Sequence, residues 1–153
     1  MAADRDELES GGVIELRVAG QTDTKQRARF GSGRVFTPPS NIISENDVRA
    51  VWREAGEPRI EDDTAIAIEI RIVVVRPKGH FRKNGELSAL GLQHPIPRKK
   101  KPDVDNALKL VMDALNSRAY KDDVLVARAL VERSWGEWPE TLIKISRYGV
   151  STE

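Results

Sequence analysis

The chain contains no cysteine and only two histidines, His80 and His94. The first absence excludes disulfides and thiolate metal sites, and the second argues against a histidine-rich transition-metal centre. Any metal is therefore expected on carboxylate oxygen, which suits Mg2+, with Mn2+ as a substitute. No apolar run approaches the roughly 20 residues of a membrane span, and the acidic start MAADRDELES is unlike a signal peptide. A soluble cytoplasmic protein is the resulting expectation. No glycine-rich phosphate loop of the P-loop or dinucleotide kind is present. An excess of charge is missing too: the net charge is +1, so overall basicity announces no nucleic-acid partner.

The distribution of charge says more than its sum. Between Arg76 and Lys101 eight cations (Arg76, Lys78, Arg82, Lys83, Arg98, Lys99, Lys100, Lys101) face a single acid, Glu86. A second basic cluster is Lys25, Arg27, Arg29 and Arg34. Acids gather instead in the first residues and around Glu57–Asp63.

With 153 residues, 39% of them hydrophobic, the chain can bury one domain-sized core. Residues 1–12 are polar and read as a disordered tail. Val13–Ala19 alternates as a half-buried strand, and 29–36 reads as a short hairpin about a glycine turn. Ile42–Ala55 carries a helical stripe, closed by Gly56 and Pro58. Thr64–Val75 is the clearest strand, with Ile66, Ile68, Ile70, Ile72 and Val74 alternating. Residues 77–102, broken by glycine and proline, read as a long basic loop, mobile unless bound to something. A helix follows, then a strand Val124–Val131, a turn at Trp135–Pro139 and a last strand Thr141–Arg147. This order predicts a single α+β domain over residues 13–150, a small mixed sheet packed against two main helices.

The helix lies in the most informative stretch, KPDVDNALKLVMDALNSRAYKDDVLV. Asp103 is placed to cap its start. Val104, Leu108, Val111, Met112 and Leu115 form an apolar stripe, while Asp105, Lys109 and Asp113 recur every four residues on another face. Asp122 and Asp123 then precede the next strand.

Each acid has a structural reading. Asp103 serves as an N-cap, Asp105 favours the positive helix end with Lys109 as its salt-bridge partner, and Asp122-Asp123 forms a solvated turn. Together they suggest more, because crowded carboxylates need a compensating cation. A calcium loop of the EF-hand type is broken at Ala107 and Leu108, and a phosphatase-type aspartate would follow an apolar strand rather than RKKKP. Carboxylate-bound Mg2+ beside basic segments suits phosphodiester hydrolysis, with Lys109 placed to stabilise charge at phosphorus. The basic segments would neutralise flanking phosphates. Trp52, Trp135 and Trp138 read as packing residues, and Phe81, in the basic loop, as the aromatic that inserts into DNA.

KPDVDNALKLVMDALN followed by YKDDVLV resembles the signature of the RusA family of Holliday-junction resolvases, small Mg2+-dependent endonucleases often encoded by phages and prophages, which implies a bacterial or phage-encoded protein. D-x-D-N, a lysine four residues on, D-A-L and D-D-x-x-V occur in order. GQTDTKQRARF…GRVFTP is a weaker echo of the family's basic N-terminal segment. The resemblance implies metal ligands at Asp103, Asp105 and Asp123, with Asp122 as an auxiliary ligand, and a catalytic lysine at Lys109. The expected DNA contacts come from the two basic clusters, Lys25, Arg27, Arg29 and Arg34 together with Arg82, Lys83, Arg98, Lys99, Lys100 and Lys101, and the resemblance does not extend to the loop 77–100. The resemblance also implies a homodimer acting on branched DNA, the two-fold four-way junction above all. A broader branched-DNA or flap endonuclease, and a junction-binding protein without catalysis, are the alternatives.

Overall fold

The computed structural model describes residues 12–22, 29–31, 34–36, 42–98 and 103–149, and for those numbered 21–42 the backbone path only. The expected tail at 1–12 therefore lies, apart from Gly12, outside the described residues. The fold is a single α+β domain. Its frame is a four-stranded mixed sheet in the order β1 (Ile14–Ala19), β8 (Glu140–Arg147), β6 (Ile66–Val75), β7 (Val126–Gly136). β8 pairs antiparallel with both β1 and β6, whereas β6 and β7 run parallel. Residues 29–31 and 34–36 form β3 and β4, antiparallel, as the expected hairpin requires. β2 (Gln21–Thr22) and β5 (Ile42–Ile43) make a two-residue parallel ladder.

Alternation sets which face is buried. In β1 the pattern is strictly buried–exposed, with Ile14, Leu16 and Val18 inward. In β6, Ile66, Ile68, Ile70, Ile72 and Val74 point the same way and are 0–2% exposed. Helices α1 (Glu45–Glu54) and α3 (Val104–Leu115) cover that face. Each buried Ile contributes about 1.5–3 kcal/mol.

α1 begins later than the Ile42–Ala55 periodicity predicts. Ser44 and Asp47 form a capping box that starts the helix, leaving Ile42 and Ile43 extended. Arg49 ties the two helices together, its Nε donating to the Ala114 carbonyl at 3.3 Å. Trp52 packs in the core with its Nε1 donating to the Pro58 carbonyl.

In α3 the buried stripe is Ala107, Val111, Ala114 and Leu115, and Val104 is 44% exposed. The expected stripe through Val104, Leu108 and Met112 is thus rotated. Two alanines sit at the core because helix and sheet approach closely there, and Leu108 and Met112 flank them.

Two further expectations are corrected. Val124 does not begin a strand; the Asp122 carboxylate accepts from the Val124 N–H at 3.0 Å and winds Asp123–Leu125 into a 3-10 turn. The strand then runs on through Trp135 and Gly136, because Val126 and, after a bulge at Ala127, every residue from Arg128 to Gly136 has a parallel partner on β6. Gly136 is suited to its place opposite Val75, since a Cβ there would collide with the Val73 side chain.

The basic loop is not a free excursion either. Lys78–His80 forms a 3-10 turn, Phe81 bridges Leu87, and Ser88 caps the short helix α2 (Ala89–Leu92) while its hydroxyl donates to the Gly79 carbonyl. His80 stacks on His94 with ring centroids 5.3 Å apart and meets the Trp135 ring edge-on. Trp135 Nε1 donates to the His94 carbonyl at 2.8 Å, and Arg76 lies over the indole while donating to the Gly91 carbonyl.

Burial, then His94 and Arg76, hold the His80 pKa below its ordinary 6.5. The folded chain thus resists a proton that the unfolded chain accepts, and the contribution of this clasp is present above pH 6.5 and lost as pH falls below it. Limited proteolysis within 77–98 is expected to be faster at pH 5.5 than at 7.5, and His80→Gln should narrow that difference. An equal rate at both pH values would exclude the clasp as a titrating element.

Candidate active site

The acidic residues are held at two places by different local devices. At the start of α3, Asp103 has extended backbone (φ −93°, ψ 159°) and caps the helix, its Oδ1 accepting from the Asn106 N–H at 3.4 Å. The Asn106 side-chain amide makes the stronger contact, 2.6 Å to the same oxygen. Asn106 thereby fixes the carboxylate of Asp103, which is half-buried. Asp105 is exposed in the first turn, and Lys109 is exposed one turn further along the same face. Among the described residues, neither makes an ion pair, so the salt bridge of the structural reading does not form.

At the other end of α3, Asn116 closes the helix with its N–H on the Met112 carbonyl. Its side-chain oxygen accepts from the Asp123 N–H at 3.0 Å, pinning the Asp122-Asp123 turn to the helix C-terminus. Ser117 takes a positive φ of 61° to reverse the chain.

Tyr120 is wholly buried, and its hydroxyl donates to Asp123 Oδ1 at 2.5 Å. Burial raises its pKa far above the phenol range, and the hydrogen bond to Asp123 and the charges of Asp123, Asp113 and Asp122 raise it further. The phenol is therefore a permanent donor that orients the Asp123 carboxylate. Tyr120 and Asn116 were not singled out as site residues from the sequence. The available signals were a tyrosine three residues before Asp123 and an asparagine at a helix end. Tyr120→Phe keeps the ring but removes the donor; cleavage is expected to fall roughly 10-fold, as for about 1.4 kcal/mol lost at the transition state. An unchanged rate would remove Tyr120 from the positioning of Asp123.

The arrangement brings Asp113, Asp122 and Asp123 into the field of Tyr120. It separates Asp122 and Asp123 from Asp103 and Asp105, because α3 runs between them: Asp105 stands in its first turn and Asn116, which holds Asp123, closes its end, a rise of about 16 Å. Among the described residues no three His, Asp or Glu side chains gather closely enough to hold a metal. The donor chemistry suits a hard divalent cation, but Asp103, Asp105 and Asp123 do not form one cage within a single chain.

The profile of the RusA endodeoxyribonuclease family (Endodeoxyribonuclease RusA) matches residues 18–146. This chain belongs to that family. It is also 34% identical over 82 residues to the uncharacterised protein YqaN of Bacillus subtilis (strain 168), an alignment covering 52% of this chain and 56% of the relative. The family match encloses both acidic groups of the RusA motif, Lys109 and the whole loop 77–98.

Around this RusA frame the cations fall into three sets. Arg82, Lys83 and Arg98 are exposed. Arg29 and Arg34 lie on β3 and β4, each the first residue of its strand. Lys25, Arg27, Lys99, Lys100 and Lys101 fall outside the described residues. Phe81 is 43% exposed and lines a cleft of about 410 Å³ with Val75, Arg76, Trp135, Gly136 and Glu137. Trp135 is partly buried, its indole N–H and one face both engaged, whereas Trp138 stands 59% exposed at the β7–β8 turn. Among the described residues no helix is long and apolar enough to cross a membrane.

Proposed function

We propose that this chain is a structure-specific endodeoxyribonuclease that resolves four-way DNA junctions as a homodimer. In this reading Asp103, Asp105 and Lys109 of one chain work with Asp123 of the other, Asp122 assisting. The observation that carries it is the division of the family's acidic set between the two ends of α3. The complete set is present, each half is held by its own hydrogen bonds, and the halves are too far apart within one chain to act on one phosphate. A two-fold dimer supplies two composite sites, which matches the two-fold symmetry of a four-way junction.

A divalent cation, Mg2+ or Mn2+, bound by these carboxylates would polarise a phosphoryl oxygen and lower the pKa of water. The chain's own contributions are distinct. Asn106 and Tyr120 orient the carboxylates on either side, and the exposed ammonium of Lys109 is available to charge developing at phosphorus. Arg82, Lys83, Arg98 and the run Lys99–Lys101 neutralise neighbouring phosphates. Each such contact steepens the fall of affinity with salt by about 0.9 in the log–log slope.

The deciding experiment compares a synthetic four-way junction, a flap and a linear duplex, each with Mg2+ and with EDTA. Paired, Mg2+-dependent nicks in the junction alone are expected. Equal cutting of flap and junction would replace this reading with a broader branched-DNA nuclease, and binding without nicks would replace it with a junction-binding protein.

A further inference from the structure

We propose that the cleft at the ends of β6 and β7 takes up a single unpaired nucleobase, stacked on Phe81 and read at its pairing edge by Glu137. The ligand class is a base with an amino group on that edge (cytosine, adenine or guanine), presented by a DNA strand at a branch point. The proposal rests on the endonuclease reading and adds to it a base-binding site and a residue that sets base preference.

The first observation is where the cleft lies. Its walls are Val75 and Arg76 from the end of β6, Trp135, Gly136 and Glu137 from the end of β7, and Phe81 from the loop between β6 and α3. β6 and β7 are parallel, and the crevice outside the carboxyl ends of parallel strands is where open α/β sheets bind ligands. To connect the two strands α3 must return along the sheet, and its last turn is pinned beside the start of β7 by the bond from the Asp123 N–H to Asn116. Its Asp103–Asp105 end therefore points toward the end of the sheet that holds the cleft.

Second, the walls are apolar and held in place. Trp135 is clamped on three sides: its N–H donates to the His94 carbonyl, Arg76 covers one face, and His80 meets the ring edge-on. Phe81 and Val75 stand 43% and 37% exposed in the same cleft. The Phe81 backbone is nonetheless fixed, because its N–H donates to the Lys78 carbonyl at 3.1 Å and the next N–H, of Arg82, donates to the Glu86 carbonyl at 2.7 Å. An aromatic ring on a fixed backbone loses little freedom when a flat partner stacks on it. The volume of about 410 Å³ is in the range of small-ligand sites.

Third, the polar groups around the cleft match a nucleotide. Glu137 is exposed, and among the described residues nothing pairs with its carboxylate. A carboxylate only accepts hydrogen bonds, so it favours a base that offers an amino group over thymine, which turns carbonyl oxygens to the same edge. From Arg76 to Arg98 five cations accompany one acid, Glu86. Lys78, Arg82 and Lys83, close to Phe81 in the chain, are exposed, and they suit the phosphates on either side of a stacked base. A base at a branch point is the one that costs least to unstack. The larger cleft on the open face of the sheet, about 650 Å³, has no aromatic wall, and its charges are already paired between strands, as in Arg71–Glu132 and Lys144–Glu15.

The test measures affinity for a four-way junction in EDTA, with single nucleotides around the branch point replaced in turn by an abasic analogue. Phe81→Ala is expected to weaken binding to the intact junction about 10-fold, within the range of base–aromatic stacking. That loss should vanish on the junction made abasic at one position, and Phe81→Tyr, which keeps a ring, should bind as the wild type does. With cytosine at that position the wild type should bind roughly 10-fold more tightly than with thymine, the opposite base changed to match. Glu137→Ala should erase this preference while its circular dichroism stays unchanged. A Phe81→Ala loss equal on every abasic junction would overturn the proposal and assign Phe81 to the packing of its own loop, and no loss at all would overturn it too. A cytosine preference that survives in Glu137→Ala would overturn the role given to Glu137. Coupling of Phe81 to one base in a protein that cleaves no DNA would keep the site and discard the nuclease reading. Junction cleavage without that coupling would do the reverse.

Discussion

Mixed in equal amounts, Asp105→Asn and Asp123→Asn proteins, each inactive alone, are expected to recover about a quarter of wild-type junction cleavage once their subunits exchange. The argument is geometric. Asp103 and Asp105 occupy one end of α3, and Asp123 is bound to Asn116 at the other end. If a phosphate is cut between groups from two chains, a mixed dimer has one site that carries both substitutions and one that carries neither. Random exchange makes roughly half of all dimers mixed, and half of their sites are intact. If all ligands came from one chain, every site in every mixture would contain one substitution and no activity would return. Junction nicking before and after exchange, with subunit mixing followed by mass spectrometry, separates the two outcomes. Because a mixed dimer has a single competent site, it should nick one strand without the paired incision.

The second large effect is expected from Asp103→Asn: junction cleavage falls by at least about 10³, equivalent to roughly 4 kcal/mol at the transition state, with almost no change in melting temperature. Asparagine caps a helix about as well as aspartate, so the bond to the Asn106 N–H survives. The substitution removes a charge and a strong oxygen ligand and little else. A purely structural Asp103 would predict the opposite, normal cleavage with at most a small change in stability. Junction affinity should persist or rise, since one carboxylate facing the phosphates has been removed. Single-turnover cleavage, gel-shift affinity and thermal melting on one preparation decide the point.

Local signals accounted for much of the frame. Strict alternation in Ile14–Ala19 and Ile66–Val75 named both strands and their inward faces, because a half-buried strand must alternate. Asp103 announced its helix through a cap that is formed by neighbours in sequence. Where distant partners decide, local reading went astray. Trp135 and Gly136 look like a turn by composition, yet β6 provides parallel partners that carry the strand through them. The buried stripe of α3 turned toward Ala107 and Ala114 because the sheet and α1 approach closely, a constraint set by Arg49 and the β6 isoleucines rather than by the helix itself. The loop 77–98 shows no periodicity, since its order comes from the His80–His94–Trp135 stack, whose members lie up to 55 positions apart in the sequence.

The sequence by itself determined the residue types and their order: an all-oxygen donor set, a lysine one turn from Asp105, and cations on either side of the motif. These follow from composition and spacing, and they survive any arrangement of the chain in space. Only the tertiary structure decided that the acids form two groups instead of one. Most of the 12-residue helix α3 stands between them as a rigid spacer, and spacing along a sequence carries no information about which chain supplies the missing half.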